Sequence, residues 1–186
     1  MIKSNASVSE KSSPFYEVNQ SFCLEFEKFI LERNGTCSGS YNAWSYLLLG
    51  KILEPKEWVL EYKKSTFTSG NLLLSSKSQN LFTSVIWKTK GCKNSDFIIR
   101  RKKAKDTFLR IFNSHISNFD TFNNYILVSN TNTPFISEIS RVLKPLIISK
   151  EVYQISNKNR QLKIELRTDK HYFDIFKQLI DLEILD

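Results

Sequence analysis

The chain has 186 residues, 41% of them hydrophobic and 13% aromatic, with only 5 Gly and 4 Pro, which is enough apolar surface for one domain and excludes a flexible linker protein. Its formal net charge is +8, and a basic excess favours anionic partners. No apolar run approaches the roughly 20 residues that span a bilayer, Met1 to Ser13 lacks the apolar stretch of a secretory signal, and Cys23, Cys37 and Cys92 form no disulfide framework, so the expectation is a cytoplasmic protein with reduced thiols.

Residues 1–12 are polar and without periodicity, and they are expected to be a disordered arm ahead of a single α+β domain over 13–186. Ser13-Pro14 opens a helix, with Ser as N-cap and Pro at the first helical position. Phe15, Val18, Phe22, Phe26, Phe29 and Ile30 recur at helical spacing, and the helix is expected to end near Asn34-Gly35, with Gly as the left-handed cap. Short apolar runs follow at Tyr46 to Leu49, Trp58 to Tyr62, Leu72 to Leu74, Phe82 to Lys88 and Phe97 to Arg101. Ser, Gly, Asn and Lys separate them, which favours hairpins of an antiparallel sheet. Pro55 marks a turn or an edge. Ala104, Phe108, Ile111, Phe112 and His115 return to helical spacing.

Tyr125 to Ser129 reads as a strand. Thr133-Pro134 repeats the N-cap and Pro signature, and Phe135, Ile136, Ile139 and Leu143 place a helix that should stop at Pro145. Val152 to Ile155 and Gln161 to Arg167 read as a hairpin about a turn at Asn157-Lys158-Asn159. In its second strand Leu162, Ile164 and Leu166 alternate with Gln161, Lys163, Glu165 and Arg167, so one face is buried and the other wet. Asp169 is expected to cap a last helix, packed through Tyr172, Phe173, Phe176, Leu179, Ile180 and Ile184. The expected fold is therefore α+β: a mostly antiparallel sheet with an N-terminal helix and a C-terminal helix–hairpin–helix packed on it.

The stretches Phe97-Ile-Ile-Arg-Arg101, Phe119-Asp-Thr-Phe122, Tyr125-Ile-Leu-Val-Ser-Asn130, the helix from Pro134 and Leu162-Lys-Ile-Glu-Leu166 follow one another in a set order. In that order residues 97–185 resemble an uncharacterised bacterial domain family of unknown function. The resemblance implies a fold and no activity; many members of that family look membrane-attached, and this chain has no such segment.

The charge is concentrated. From Lys88 to Arg110 stand Lys88, Lys90, Lys93, Arg100, Arg101, Lys102, Lys103, Lys105 and Arg110 against Asp96 and Asp106, a balance of +7 out of +8 for the chain. Such a block is either a solvated connection or a site for an anionic partner. Trp87, Phe97 and Phe108 interleave with the cations, an arrangement that suits stacked nucleic-acid bases.

Catalytic signatures are missing from the sequence. His115 sits on an apolar stripe, His171 lies beside Asp169 at the start of the last helix as a cap-region side chain, and neither has a carboxylate or cysteine at metal-ligand spacing. Cys92 lies between Lys90 and Lys93, where positive charge favours thiolate, but only the distant His115 could serve it as a base. No Gly-rich phosphate loop is present. No catalytic residue, metal or cofactor is assigned. The expected function is a non-enzymatic interaction domain, of an accessory or immunity-like kind, that binds an acidic protein partner through the basic segment; the alternative is a nucleic-acid-binding module using the same residues.

Overall fold

The computed structural model describes residues 1–65, 83–92, 95–104, 106, 116–119, 122, 124–129 and 134–182. The described elements run β1 (Ile2–Ser4), α1 (Val8–Lys11), α2 (Pro14–Leu31), β2 (Thr36–Tyr41), β3 (Tyr46–Ile52), β4 (Trp58–Lys64), β5 (Ser84–Lys90), β6 (Phe97–Arg101), β7 (Ile116–Asn118), β8 (Tyr125–Ser129), α3 (Pro134–Ile148), β9 (Val152–Lys158), β10 (Gln161–Leu166) and α4 (Phe173–Ile180). The fold is α+β and its strand pairs are mostly antiparallel, as expected. The helical stretch expected over 104–115 and the strand at Leu72 to Leu74 fall largely or wholly outside the described residues. No helix among those described is long and apolar enough to cross a membrane.

The chain divides into two compact units: residues 1–87 with 167–171, and residues 88–166 with 172–186. In the first unit the strand order is β1-β2-β3-β4, followed by the Ser84–Trp87 part of β5. Residues 1–12, expected to be a disordered arm, carry regular structure here. Ile2 to Ser4 pair in parallel with Gly39 to Tyr41, the Ile2 amide donates to Glu27 Oε1 at 3.2 Å, and α1 closes a capping box between Ser7 and Glu10. These are backbone and cap interactions, which leave no hydrophobic periodicity to read.

Helix α2 begins as expected, with the Ser13 side chain accepting from Phe15 N. Its inward face is rotated from the one expected. Tyr16, Asn19, Cys23, Phe26, Phe29 and Ile30 are buried, whereas Phe15 and Val18 are 57% and 62% exposed. The polar Asn19 takes an inward position because its amide donates to the carbonyls of Asn42 and Ala43 at 2.8 and 3.1 Å and its Oδ1 accepts from Lys64 Nζ at 3.0 Å. The helix lies directly over β3: a Cβ on Gly50 would fall 2.7 Å from both Ile30 Cδ1 and Phe26 Cζ. The left-handed residue after the helix is Asn34, φ 52°, and not Gly35, Asn being tolerated there. Trp58 and Trp87 are fully buried, while Trp44 is 47% exposed.

In the second unit the order is β10-β9-β6-β8-β7. The alternation of β10 holds, with Leu162, Ile164 and Leu166 all fully buried. The β9–β10 turn is two residues later than expected. It is Asn159-Arg160, with φ of 51° and 59°, the two-residue geometry whose twist matches the flanking strands. This leaves Asn157 inside β9, fully buried. Helix α3 runs through Pro145 to Ile148 instead of stopping at it; buried Leu146 and Ile147 hold the last turn, an instance of packing outweighing a local penalty. Helix α4 is not capped by Asp169. Its N-cap is Tyr172, in the left-handed region at φ 55° and with no side-chain cap bond; the Tyr172 hydroxyl donates instead to Glu151 Oε2 at 2.5 Å.

Candidate functional site

The basic segment does not act as one string in the structure. Lys88 and Lys90 lie on β5, half-buried and exposed respectively. Lys93, Lys105 and Arg110 lie outside the described residues. The remaining four sit at the end of β6, where their roles diverge.

Arg100 is drawn, half-buried, into an ion pair. Its Nη1 and Nη2 donate to Oδ2 and Oδ1 of Asp106, each at 2.7 Å, in the two-pronged geometry that makes Arg–carboxylate pairs strong. Asp106 is completely buried and Arg100 is 21% exposed. The Arg100 hydrogen bonds, opposed by burial and reinforced by the Lys103 backbone, hold the Asp106 carboxyl at about 2. The same bonds raise the Arg100 pKa. A carboxylate depressed in the folded state stabilises fully above its unfolded value near 4, and that contribution is lost as pH falls through about 2. The pair therefore stays intact across the neutral range.

Arg101 is also committed, but to neutral backbone acceptors, which bind it without cancelling its charge. Its Nε donates to Val152 O at 3.2 Å and its Nη2 to Lys150 O. The Tyr125 hydroxyl, directly across the β6–β8 pair from Arg101, donates to Val152 O at 2.7 Å. These bonds draw the loop after α3 toward the end of β6. That loop carries Lys150 in the left-handed region, φ 61°. Lys102 is held by its backbone amide, which donates to Asn124 O at 2.8 Å.

The result is an open concavity of about 410 Å³ lined by Arg101, Lys102, Lys103, Ala104, Asn124, Tyr125 and Lys150. Four of the seven are cations and none is an acid. Arg101, Lys102, Lys103 and Lys150 are all exposed. Of the nine segment residues, the structure brings three together here. It adds Lys150, which the charge count could not find because it lies 47 positions beyond Lys103 and belongs to a different connection.

The aromatic residues that interleave with the cations in sequence do not stand beside them in space. Trp87 and Phe97 are buried to 0% and 1% exposure. Trp87 Nε1 donates to the Tyr62 hydroxyl at 3.1 Å, and the Phe97 ring meets Phe135 edge-on at 5.9 Å. Phe108 lies outside the described residues. Tyr125, at 1% exposure, presents no open ring face in the concavity. Stacking of bases on this group is thereby excluded for Trp87, Phe97 and Tyr125.

The nucleophile and metal candidates fare as follows. Burial pushes the Cys23 thiol up to about 12 and raises that of Cys37, so neither supplies thiolate at neutral pH. The base paired with Cys92 in the sequence reading, His115, is outside the described residues. Among the described residues no group of three His, Cys, Asp or Glu side chains is placed to hold a metal ion.

His171 is not a cap-region side chain. It is 10% exposed and packs within the first unit, stacked on Phe22 with ring centroids 3.6 Å apart. Tyr62 OH donates to its carbonyl at 2.7 Å. Burial lowers the imidazole pKa to about 4, only partly offset by a hydrogen bond with the Phe22 backbone. The unfolded chain thus binds a proton near pH 6.5 that the folded chain refuses until about 4. Stability should rise with pH between those values, by a total of about 3 kcal/mol at 1.36 kcal/mol per unit. Urea unfolding at intervals from pH 4 to 7 should show this rise, and His171→Gln should flatten it. An equal slope in the variant would assign the rise to other groups.

No family model matches the chain, and no curated protein matches it either.

Proposed function

We propose that this protein is a non-enzymatic interaction domain whose concavity at the end of β6 receives an acidic segment of a protein partner. The observation that carries this reading is the gathering of Arg101, Lys102, Lys103 and Lys150 around one depression whose described lining holds no acid. Cations grouped over a concave surface focus positive potential, which steers anionic partners and speeds their capture.

The way the cations are held favours carboxylates over nucleic acid. The Arg101 fork is already engaged by backbone carbonyls, so it supplies charge without two-pronged recognition of a base edge or phosphate. The lysines act as point charges on flexible stems, tolerant of carboxylates in varied positions. Among the described residues, the interleaved aromatics Trp87 and Phe97 are buried and offer no stacking platform of the kind single-stranded nucleic acids use. An accessory or immunity-like protein that neutralises an acidic partner in the cytoplasm fits this surface.

The test is a side-by-side titration of the protein with a labelled oligoglutamate peptide and a single-stranded oligonucleotide of equal length, each at several salt concentrations. The peptide should bind more tightly, and its binding should weaken with salt as expected of exposed charges. Tighter binding of the oligonucleotide, with a log–log salt slope of about −3 for some four cations engaged, would transfer the site to nucleic acid. Binding of neither would remove the proposal.

A further inference from the structure

Resting on that reading of the concavity, we propose that Asp106 is a positioning residue for the anion site: it folds the 101–104 turn so that Lys102 and Lys103 face the concavity. The bonding pattern carries the inference. Beyond the two bonds from Arg100, Asp106 Oδ2 accepts from the Lys103 backbone amide at 2.6 Å. The Asp106 amide in turn donates to Lys103 O at 2.9 Å. One buried carboxylate thus ties the Arg100 side chain on β6 to the backbone of a residue lining the site. Three donors on one charged acceptor make a stiff node, and such second supports are what keep an exposed cluster in one geometry.

The inference makes a prediction opposite in sign to simple electrostatics. Asp106 is a negative charge beside an anion site. If it acted only through charge, removing it would raise the local potential and tighten anion binding. If it positions the turn, removing it frees Lys103 and weakens binding despite the added positive charge.

The experiment compares Asp106→Asn with Asp96→Asn in the oligoglutamate titration. Asp96 is exposed, stands at the opposite end of β6 and lines no part of the concavity. Asp106→Asn should weaken peptide binding about fivefold, from loss of a charge-assisted node, while Asp96→Asn should change it by less than about twofold because screening mutes a remote charge. Binding by Asp106→Asn as tight as wild type, or tighter, overturns the inference.

A second readout separates this idea from the function on which it rests. Amide hydrogen exchange at Lys103 should accelerate in Asp106→Asn, whether or not the wild type binds the peptide. Unchanged protection of that amide overturns the positioning role; failure of the wild type to bind overturns the functional reading instead. Should Asp106→Asn not fold, Arg100→Lys decides. It keeps every charge and loses the two-pronged bond, so binding should fall about threefold, and unchanged binding would overturn the inference.

Discussion

Replacing Asn157 by alanine should lower the stability of the second unit by about 3 kcal/mol, since it strips two hydrogen-bond donors from the packed interior and leaves a cavity. Asn157 is fully buried in β9. Its Nδ2 donates to Cys92 O and Ser95 O, both at 2.9 Å, and lies 3.1 Å from Ser95 Oγ. One side chain thus fastens the connection between β5 and β6 to the middle of the sheet. The fit is close on the other side as well: a Cβ on Gly91 would fall 1.8 Å from Asn157 Oδ1. Alanine removes both donors, takes one bond each from the Ser95 and Cys92 carbonyls, of which the latter keeps the Ser95 hydroxyl at 3.5 Å, and adds a cavity cost. Urea unfolding should show the midpoint shift without a change in slope. A loss below about 1 kcal/mol would mean that water or a neighbouring group satisfies those carbonyls in its place.

Asn157 also shows where sequence reading reaches its limit. Between a strand and a charged turn, an Asn beside Lys158 and Asn159 carries every mark of a turn residue. Only the register of β9 on β10, in which Asn157 faces Leu162, reveals it as interior. The elements with strong periodicity were readable: the start of α2, the span of β6 and β8, and the alternating face of β10. The inward face of α2 was legible in part: Phe26, Phe29 and Ile30 are buried as expected, whereas Phe15 and Val18 share their spacing but are exposed, and a buried Asn is not expected on such a face. Strand β2, Thr-Cys-Ser-Gly-Ser-Tyr, was missed because it has almost no apolar side chains; its backbone pairing with β1 and β3 defines it.

The candidate site was half readable. A run of like charge announces itself in a sequence, but not which members remain available. Arg100 looked identical to Arg101, and only the fold assigns the first to Asp106 and the second to the carbonyls of Val152 and Lys150. Asp106 read as an incidental acid in a basic run. Lys150 falls between the helix expected to stop at Pro145 and the strand expected from Val152, with no role of its own. These assignments depend on contacts between segments distant in sequence, which composition and spacing do not encode.

A concave group of cations, and not the linear basic segment, is proposed to make the anion site. Two double reversals with the same effect on net charge separate these ideas. Lys102→Glu with Lys150→Glu changes two residues that line the concavity, only one of which belongs to the segment. Lys90→Glu with Lys158→Glu changes two exposed residues outside the lining, again only one from the segment. Lys150 precedes β9 and Lys158 ends it, so the strand from Val152 to Lys158 alone puts roughly 20 Å between them at a rise of about 3.3 Å per residue. That is more than twice the screening length of about 8 Å at physiological salt, so remote reversals should hardly reach the site. Oligoglutamate affinity, measured for both variants in 0.15 M salt, is the direct test. A loss of about thirtyfold for Lys102→Glu/Lys150→Glu, near 2 kcal/mol, with less than about threefold for Lys90→Glu/Lys158→Glu is the result this account predicts; equal losses in the two variants would contradict it.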